Sequence, residues 1–168
     1  MKTAQHPGLK TAVYAGSFDP ITLGHLDVVR RASRLFDRVI VGVALKHTKQ
    51  PLFTQRERVA LVGRVTHDIP NVEVMGFQGL LIDFVAKNQA CAVIRGLRAV
   101  MDFDYEFQMA LTNRKLASQV ETVFFVPSEK YFYLSSSLVR ELASVGGPLS
   151  CFVPEPVEQA LRRKFGKK

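Results

Sequence analysis

Residues 16–26 of the chain, GSFDPITLGHL, combine glycine, hydroxyl and imidazole groups in an order typical of a phosphate-binding loop. Gly16 permits a sharp backbone turn and close approach of a ligand, and Ser17 places a hydroxyl beside it. Gly24 and His25 stand at a predicted helix start, where unpaired N–H groups and the helix dipole attract anions. The segment therefore predicts a site that binds a phosphorylated substrate and uses a histidine to polarise one phosphate.

The elements that must position this loop form a repeating pattern of apolar runs and helices. The runs are nearly continuous and rich in valine and isoleucine, which indicates parallel strands buried on both faces. Helical segments between them predict βαβ crossovers. We therefore expect an α/β fold, a Rossmann-like doubly wound sandwich with a five-stranded parallel sheet and helices on both faces. The predicted strands cover residues 11–15, 39–45, 71–75, 91–95 and 120–126.

Helix boundaries follow from caps and apolar stripes. Thr54 and Glu57 fit a capping box, and Ser135 to Ser137 can cap a helix that ends near Val145. A longer helix is predicted over 102–117, with its apolar side chains turned inward. Those side chains are Phe103, Phe107, Ala110 and Leu111.

Polar and basic residues follow each predicted strand. Because ligands of doubly wound sheets bind beyond the carboxyl ends of the strands, these segments should converge on one rim. The segment after the third strand, 77–81, is the best candidate for an apolar groove wall, although Leu81 could equally begin a helix packed on the sheet. The other segments are 16–17, 46–49, 95–98 and 127–128.

Composition limits the class of protein. The chain has 168 residues, 47% of them hydrophobic and 23% charged, which fits one globular domain over 1–168 with a flexible N-terminal extension at 1–10. No apolar run approaches the roughly 18 residues of a membrane span. We expect Cys91 to be a buried free thiol rather than part of a disulfide, and the protein to be cytoplasmic without a membrane partner.

The net charge of +8 could indicate a nucleic-acid partner, but its distribution argues against one. Five of the basic residues belong to the C-terminal end, which leaves 8 − 5 = +3 for the rest of the chain. A basic helix end complements the helix dipole, so we expect a solvated tail that continues through 166–168. These five are Arg162, Arg163, Lys164, Lys167 and Lys168.

Four motifs in order resemble the nucleotidylyltransferase superfamily. The first is the loop 16–26, and the others are 48–54 (TKQPLFT), 94–99 (IRGLRA) and 134–140 (LSSSLVR). Thr22, where many relatives carry a second histidine, makes the chain similar to the phosphopantetheine adenylyltransferases over roughly residues 10 to 165. Ser17 stands where many relatives have threonine, and Leu134 where isoleucine is frequent.

The resemblance implies transfer of AMP from ATP to 4′-phosphopantetheine in coenzyme A biosynthesis. It assigns catalysis to His25, Ser17, Lys49 and Arg95, and it assigns phosphopantetheine binding to the last three, with Leu81 as our candidate groove residue. It also implies Mg²⁺ on the ATP phosphates with no protein metal cage, a homohexamer, and coenzyme A as a feedback inhibitor. ATP contacts are expected from Ser17, Phe18, His25, Gly96, Leu97, Arg98, Glu106, Tyr131, Phe132, Tyr133, Leu134, Ser135, Ser136 and Ser137.

Structural roles remain open for several of these side chains. The arginines at 95 and 98 could pair with Asp102 or Glu106, because a buried arginine needs an anion. The three serines could act only as helix caps, and Arg140 could face the polyphosphate.

Two other functions are weighed against this one. A sister enzyme, a nicotinamide-mononucleotide adenylyltransferase or a cytidylyltransferase, is disfavoured by Thr22 and the segment 95–98. A non-catalytic nucleotide-binding module is disfavoured because Ser17, His25, Lys49 and Arg95 are all present.

Overall fold

The computed structural model describes residues 9–45, 51–97 and 100–166, and its centre is a five-stranded parallel sheet. The strand order is β3-β2-β1-β4-β5, and all four neighbouring pairs are parallel. Each strand begins and ends within two residues of its predicted range, so the predicted sheet is confirmed. The strands are β1 (Thr11–Gly16), β2 (Arg38–Ala44), β3 (Val72–Phe77), β4 (Ala92–Gly96) and β5 (Glu121–Phe125).

Helices cover both faces of the sheet. Alternate residues of β1 point to opposite sides: Ala12 and Tyr14 belong to one core cluster, and Val13 and Ala15 to the other. The helices are α1 (Leu23–Ala32), α2 (Gln55–Thr66), α3 (Leu81–Lys87), α4 (Val100–Leu116), α5 (Ser136–Ser144) and α6 (Glu155–Lys164). Helices α1, α2, α5 and α6 pack on the first cluster, and α3 is the main helix that packs on the second.

The order of the strands places a crevice beside β1. From β1 the chain builds outward through β2 and β3 on one side, and later through β4 and β5 on the other. The carboxyl ends of β1 and β4 are therefore neighbours, with Tyr14 paired to Ile94. Connections that leave these two strands diverge to opposite sides, which opens the crevice where such folds bind ligands.

Helix α4 forms where the sequence predicts it, but its inward face was predicted wrongly. Phe103, Phe107 and Leu111 are 44%, 45% and 51% exposed. The side turned to the rest of the molecule instead carries Glu106, held by an arginine of β4, and the buried Asn113. The ion pair between Arg95 and Glu106 turns the Glu106 side of the helix toward β4. The row of apolar residues at 103, 107 and 111 therefore faces outward.

The expectation for Cys91 is half correct. Both cysteines are free, but Cys91 is exposed, because it precedes β4 instead of lying within it. Its Sγ donates to the carbonyl oxygen of Thr11 at 3.4 Å. Within the described ranges, no helix is long and apolar enough to cross a membrane.

Candidate active site

A cavity of about 580 Å³ opens at the carboxyl ends of β1 and β4. This volume lies in the range that small-molecule sites occupy. Its walls come from the loop after β1, the start of α1, the end of β4, and helices α4 and α5. The lining residues are Tyr14, Ala15, Gly16, Ser17, Phe18, Asp19, His25, Ala44, Pro51, Arg58, Phe77, Leu81, Arg95, Gly96, Tyr105, Glu106, Ser135, Ser136, Ser137 and Arg140.

The loop after β1 is tightly packed beneath the cavity. A Cβ atom on Gly16 would lie 3.1 Å from the ring of Phe18, so close packing explains the glycine. Phe18 itself adopts a left-handed backbone (φ 46°), a conformation that non-glycine residues rarely adopt and that clusters at functional sites. Its ring is 2% exposed and contacts the ring of His25 edge-on, with centroids 5.2 Å apart. Phe18 therefore supports the imidazole from the core side.

The imidazole of His25 is held by the cap of α1. Thr22 is the N-cap residue, and its hydroxyl accepts a hydrogen bond from the His25 backbone N–H at 3.3 Å. In return, His25 Nδ1 accepts from the Thr22 backbone N–H at 3.1 Å and lies 2.9 Å from the Thr22 hydroxyl. With Nδ1 acting as an acceptor, the proton of the neutral ring is on Nε2. The cap thus selects the tautomer that can donate from Nε2.

Arg95 and Glu106 form a bidentate ion pair across the cavity wall. Arg95 Nε and Nη2 each donate to a different Glu106 oxygen at 2.5 Å, and Nη1 donates to the carbonyl of Ala15 at 3.0 Å. Burial by itself would lower the pKa of Arg95, but the hydrogen bonds and charge of Glu106 outweigh it and raise that pKa. These bonds use three of the five N–H donors of a guanidinium, so donors remain for a phosphate.

On the other side of the cavity, α5 is tied to the phosphate-binding loop. Ser136 Oγ donates to the carbonyl of Pro20 at 2.8 Å, and Ser135 caps the helix through the Leu138 N–H at 3.1 Å. Arg140 donates to the carbonyl of Asp19 and lies 3.5 Å from its carboxylate.

The described lining carries more positive than negative charge. Three arginines, at 58, 95 and 140, face two carboxylates, Asp19 and Glu106, which gives 3 − 2 = +1 with histidine neutral. Low-dielectric walls focus the field of charges in a cleft, so even this small excess favours an anionic ligand.

The cavity brings together most of the predicted site residues. Ser17, His25, Arg95 and Leu81 all line it. So do the nucleotide candidates Phe18, Gly96, Glu106, Ser135, Ser136 and Ser137. Leu97, Tyr131, Phe132, Tyr133 and Leu134 do not, and Leu134 is a core residue. Lys49 and Arg98 lie outside the described residues, so their predicted contacts stay predictions.

The positioning roles of three residues were not predicted from the sequence, although Thr22 was singled out there for the resemblance. Thr22 could have been found, because its spacing to His25 is that of a capping box with histidine in the third position. Asp19, whose carboxylate accepts from the backbone N–H groups of Leu52 and Phe53 at 2.9 and 3.0 Å, gave no such signal. Neither did Arg58, which looks like a surface residue of an amphipathic helix until its burial is seen.

Comparison with known proteins identifies the family. The chain is 54% identical to the phosphopantetheine adenylyltransferase of Moorella thermoacetica, over 94% of this chain and 99% of that protein. It is 55% identical to that of Caldanaerobacter subterraneus subsp. tengcongensis, over 95% of this chain and 99% of that protein. This chain belongs to the phosphopantetheine adenylyltransferase family. Residues 13–142 also match the cytidylyltransferase-like family model, which agrees with a phosphopantetheine adenylyltransferase fold.

Solved structures of low sequence identity share the fold of this phosphopantetheine adenylyltransferase family member. A Vibrio parahaemolyticus protein assigned as a nicotinate-nucleotide adenylyltransferase superposes with a TM-score of 0.71 at 17% identity, covering 95% of this chain and 97% of that one. A bifunctional NMN adenylyltransferase/ADP ribose pyrophosphatase from Francisella tularensis also gives 0.71, at 12% identity, over 95% of this chain and 50% of that one. The Rossmann-like architecture is thus confirmed.

Proposed function

We propose that this protein transfers the adenylyl group of ATP to 4′-phosphopantetheine, giving dephospho-coenzyme A and pyrophosphate. The observation that carries this proposal is the cavity at the switch point, where the family's motif residues Ser17, His25 and Arg95 meet. The nicotinamide-mononucleotide adenylyltransferase activity weighed above receives no comparable support, because the solved structure of Francisella tularensis that carries this name is 12% identical to this chain.

The reaction needs alignment and charge stabilisation more than acid–base chemistry. The acceptor phosphate is already ionised and attacks the α-phosphorus, and the bond to pyrophosphate breaks in line with that attack. His25 Nε2 would donate a hydrogen bond to the α-phosphate as its charge develops. The Thr22 cap keeps that proton on the correct nitrogen.

The two phosphate-bearing substrates would bind at opposite ends of the cavity. Ser17, Arg95 and Lys49 would hold the acceptor phosphate, and Leu81 would line the pantetheine arm. The amide groups at the start of α5, with Ser136, Ser137 and Arg98, would hold the leaving pyrophosphate.

Mg²⁺ would bind chiefly to phosphate and water oxygens and neutralise part of the polyphosphate charge. Both carboxylates of the described lining are engaged, Asp19 by backbone N–H groups and Glu106 by Arg95. No cluster of three or more acidic, histidine or cysteine side chains suited to a metal occurs among the described residues. With both carboxylates already bound to protein groups, Mg²⁺ would enter with the ATP phosphates.

We further propose a homohexamer in the cytoplasm, inhibited by coenzyme A. The outward stripe of α4 supports self-association, since Phe103 and Phe107 stack with centroids 5.5 Å apart and are nearly half exposed. Light scattering on Phe107→Asp would test the assembly: we expect a smaller species, and an unchanged mass would contradict this interface.

Pyrophosphate release is the direct test of the reaction. We expect release from Mg·ATP only when 4′-phosphopantetheine is present, and none with nicotinamide mononucleotide as the acceptor. Release with the mononucleotide but not with 4′-phosphopantetheine would refute the proposed acceptor. No release with either, in folded protein that binds ATP, would favour a non-catalytic nucleotide-binding module.

A further inference from the structure

Arg58 of α2 is a fully buried arginine at the floor of the cavity. Its guanidinium donates to three backbone carbonyls: that of Phe53 at 3.0 Å, that of Ala44 at 2.9 Å and that of Ser17 at 2.5 Å. These carbonyls belong to the entry of α2, the carboxyl end of β2 and the phosphate-binding loop. One side chain therefore ties three separate segments together directly behind Ser17.

The phosphate-binding loop is held at two successive points by the same region. Arg58 binds the carbonyl of Ser17, and the N–H groups of Leu52 and Phe53 bind the carboxylate of Asp19. Because Arg58 also binds the carbonyl of Phe53, its removal would free the Ser17 carbonyl and loosen the segment that holds Asp19. The Ser17 hydroxyl would then lose its fixed place in the cavity.

The charge of Arg58 is incompletely compensated. Within the described part of the chain, no carboxylate lies in ion-pair distance of it, and its Nη2 has no hydrogen-bond partner. Burial lowers the pKa of Arg58, and the more distant charge of Asp19, which is also shared with Arg140, opposes that shift. A guanidinium still keeps its proton, so a positive charge persists beneath the loop. Such a charge is costly to bury and becomes favourable when an anion binds nearby.

We propose that Arg58 is a positioning residue for the acceptor phosphate: it fixes the Ser17 loop and provides a buried positive charge behind it. This inference rests on the proposed function, because the phosphate in question is that of 4′-phosphopantetheine. The nucleotide end of the cavity is built on α5, which Arg58 does not contact through any hydrogen bond among the described residues and which keeps its own bonds to the loop, from Ser136 to Pro20 and from Arg140 to Asp19. Substitution of Arg58 should therefore raise the KM for the acceptor more than the KM for ATP.

The test compares Arg58→Met with the matched control Arg56→Met, which removes the same charge from an exposed position of the same helix. Steady-state pyrophosphate release gives the KM for each substrate and kcat. A displaced Ser17 hydroxyl weakens a hydrogen bond to the charged acceptor phosphate, so we expect Arg58→Met to raise the acceptor KM by about 10- to 100-fold. We expect the KM for ATP to change by less than about threefold, and Arg56→Met to match the wild type in all three constants.

Arg58→Lys provides the second variant, because removing three carbonyl partners could unfold Arg58→Met. Lysine retains the charge but lacks the planar fork that reaches three carbonyls. We expect Arg58→Lys to be folded by circular dichroism and to have an acceptor KM between those of the wild type and Arg58→Met. If Arg58→Met does not fold, we expect the acceptor KM of Arg58→Lys to exceed that of the wild type by at least about threefold.

The outcomes separate the two proposals. A wild-type chain that does not transfer AMP to 4′-phosphopantetheine would refute the proposed function. A wild-type chain that does, combined with folded Arg58 variants whose acceptor KM is unchanged, would refute the positioning role alone. Equal losses for ATP and acceptor, in parallel with lower thermal stability, would mean that Arg58 only stabilises the fold.

Discussion

Replacing Thr22 by valine would test how His25 is oriented. Valine has nearly the shape of threonine and would fit the same site, where Thr22 is 1% exposed. The change deletes the hydroxyl that lies 2.9 Å from His25 Nδ1 and accepts from the His25 backbone N–H. It leaves in place the bond from the Thr22 backbone N–H to Nδ1 at 3.1 Å. The imidazole therefore loses the contact of Nδ1 with the Thr22 hydroxyl and keeps the hydrogen bond from the Thr22 backbone N–H.

Two effects of different size follow from this loss. An N-cap hydroxyl contributes about 0.5–2 kcal/mol to the free energy of unfolding. For a chain of this length we expect the Tm to fall by about 1–8 °C. Removing a whole transition-state donor costs roughly 10²–10³ in rate, so a ring that keeps the bond from the Thr22 backbone N–H and its contact with Phe18 should lose only about 10-fold in kcat. Affinity for ATP should change little.

The assay is pyrophosphate release at saturating substrates, with Tm measured on the same samples. Thr22→Ser is the control, because it restores the hydroxyl, and we expect it to recover most of both losses. A double-mutant cycle with His25→Ala then isolates the coupling between the two side chains. If Thr22 acts through His25, Thr22→Val should lower kcat no further once the imidazole is absent.

Two results would refute this reasoning. One is a Thr22→Val protein with a lower Tm and an unchanged kcat, which would leave the hydroxyl with a capping role only. The other is a rate loss that persists in full in the His25→Ala background. That result would mean that Thr22 acts on the substrate directly.

Three further predictions concern other parts of the molecule. His25→Ala should lower kcat by roughly 10²–10³ with little change in the Kd for ATP measured by calorimetry, and an effect confined to that Kd would contradict a transition-state role. Leu81→Glu should weaken the binding of 4′-phosphopantetheine without changing the affinity for ATP, whereas Leu80→Glu, at a position that is 62% exposed, should resemble the wild type. Equal affinities of the two variants for 4′-phosphopantetheine would mean that Leu81 does not contact the pantetheine arm. A hydrogen bond from Lys164 holds the pKa of Glu57 below its usual value. Because this pair is partly exposed, Glu57→Gln should lower the free energy of unfolding by less than about 1 kcal/mol at neutral pH. Because a lowered carboxyl pKa stabilises the fold only while the group is ionised, denaturant titrations should show this difference disappearing as the pH falls below about 4.

Local patterns determined the secondary structure and the centre of the site. The strands, the caps at Thr54 and Ser135 and the helix start at His25 depend on residues only a few positions apart, so composition and spacing suffice to predict them. The rim of the sheet was predictable for a second reason. Carboxyl ends of parallel strands share one edge, so Ser17 and Arg95 had to meet once both were placed after strands.

The rotation of α4 was not predictable in this way. Its sequence has a row of apolar residues at positions 103, 107 and 111, and a surface helix normally buries such a row. The structure turns Glu106 inward because Arg95, eleven positions earlier in the chain and on a different element, holds it with two hydrogen bonds. A pattern within one helix carries no information about a partner on a strand.

Arg58 shows most clearly what only the tertiary structure decided. Along the chain it is one of several charged residues at the start of α2, beside the exposed Arg56. Its three carbonyl partners are 5, 14 and 41 residues away, and they meet only after β1, β2 and α2 have packed. Backbone carbonyls occur at every position and leave no mark on the sequence. The sequence by itself determined the strands, the caps and the motif residues, but folding alone determined which backbone atoms surround a buried charge.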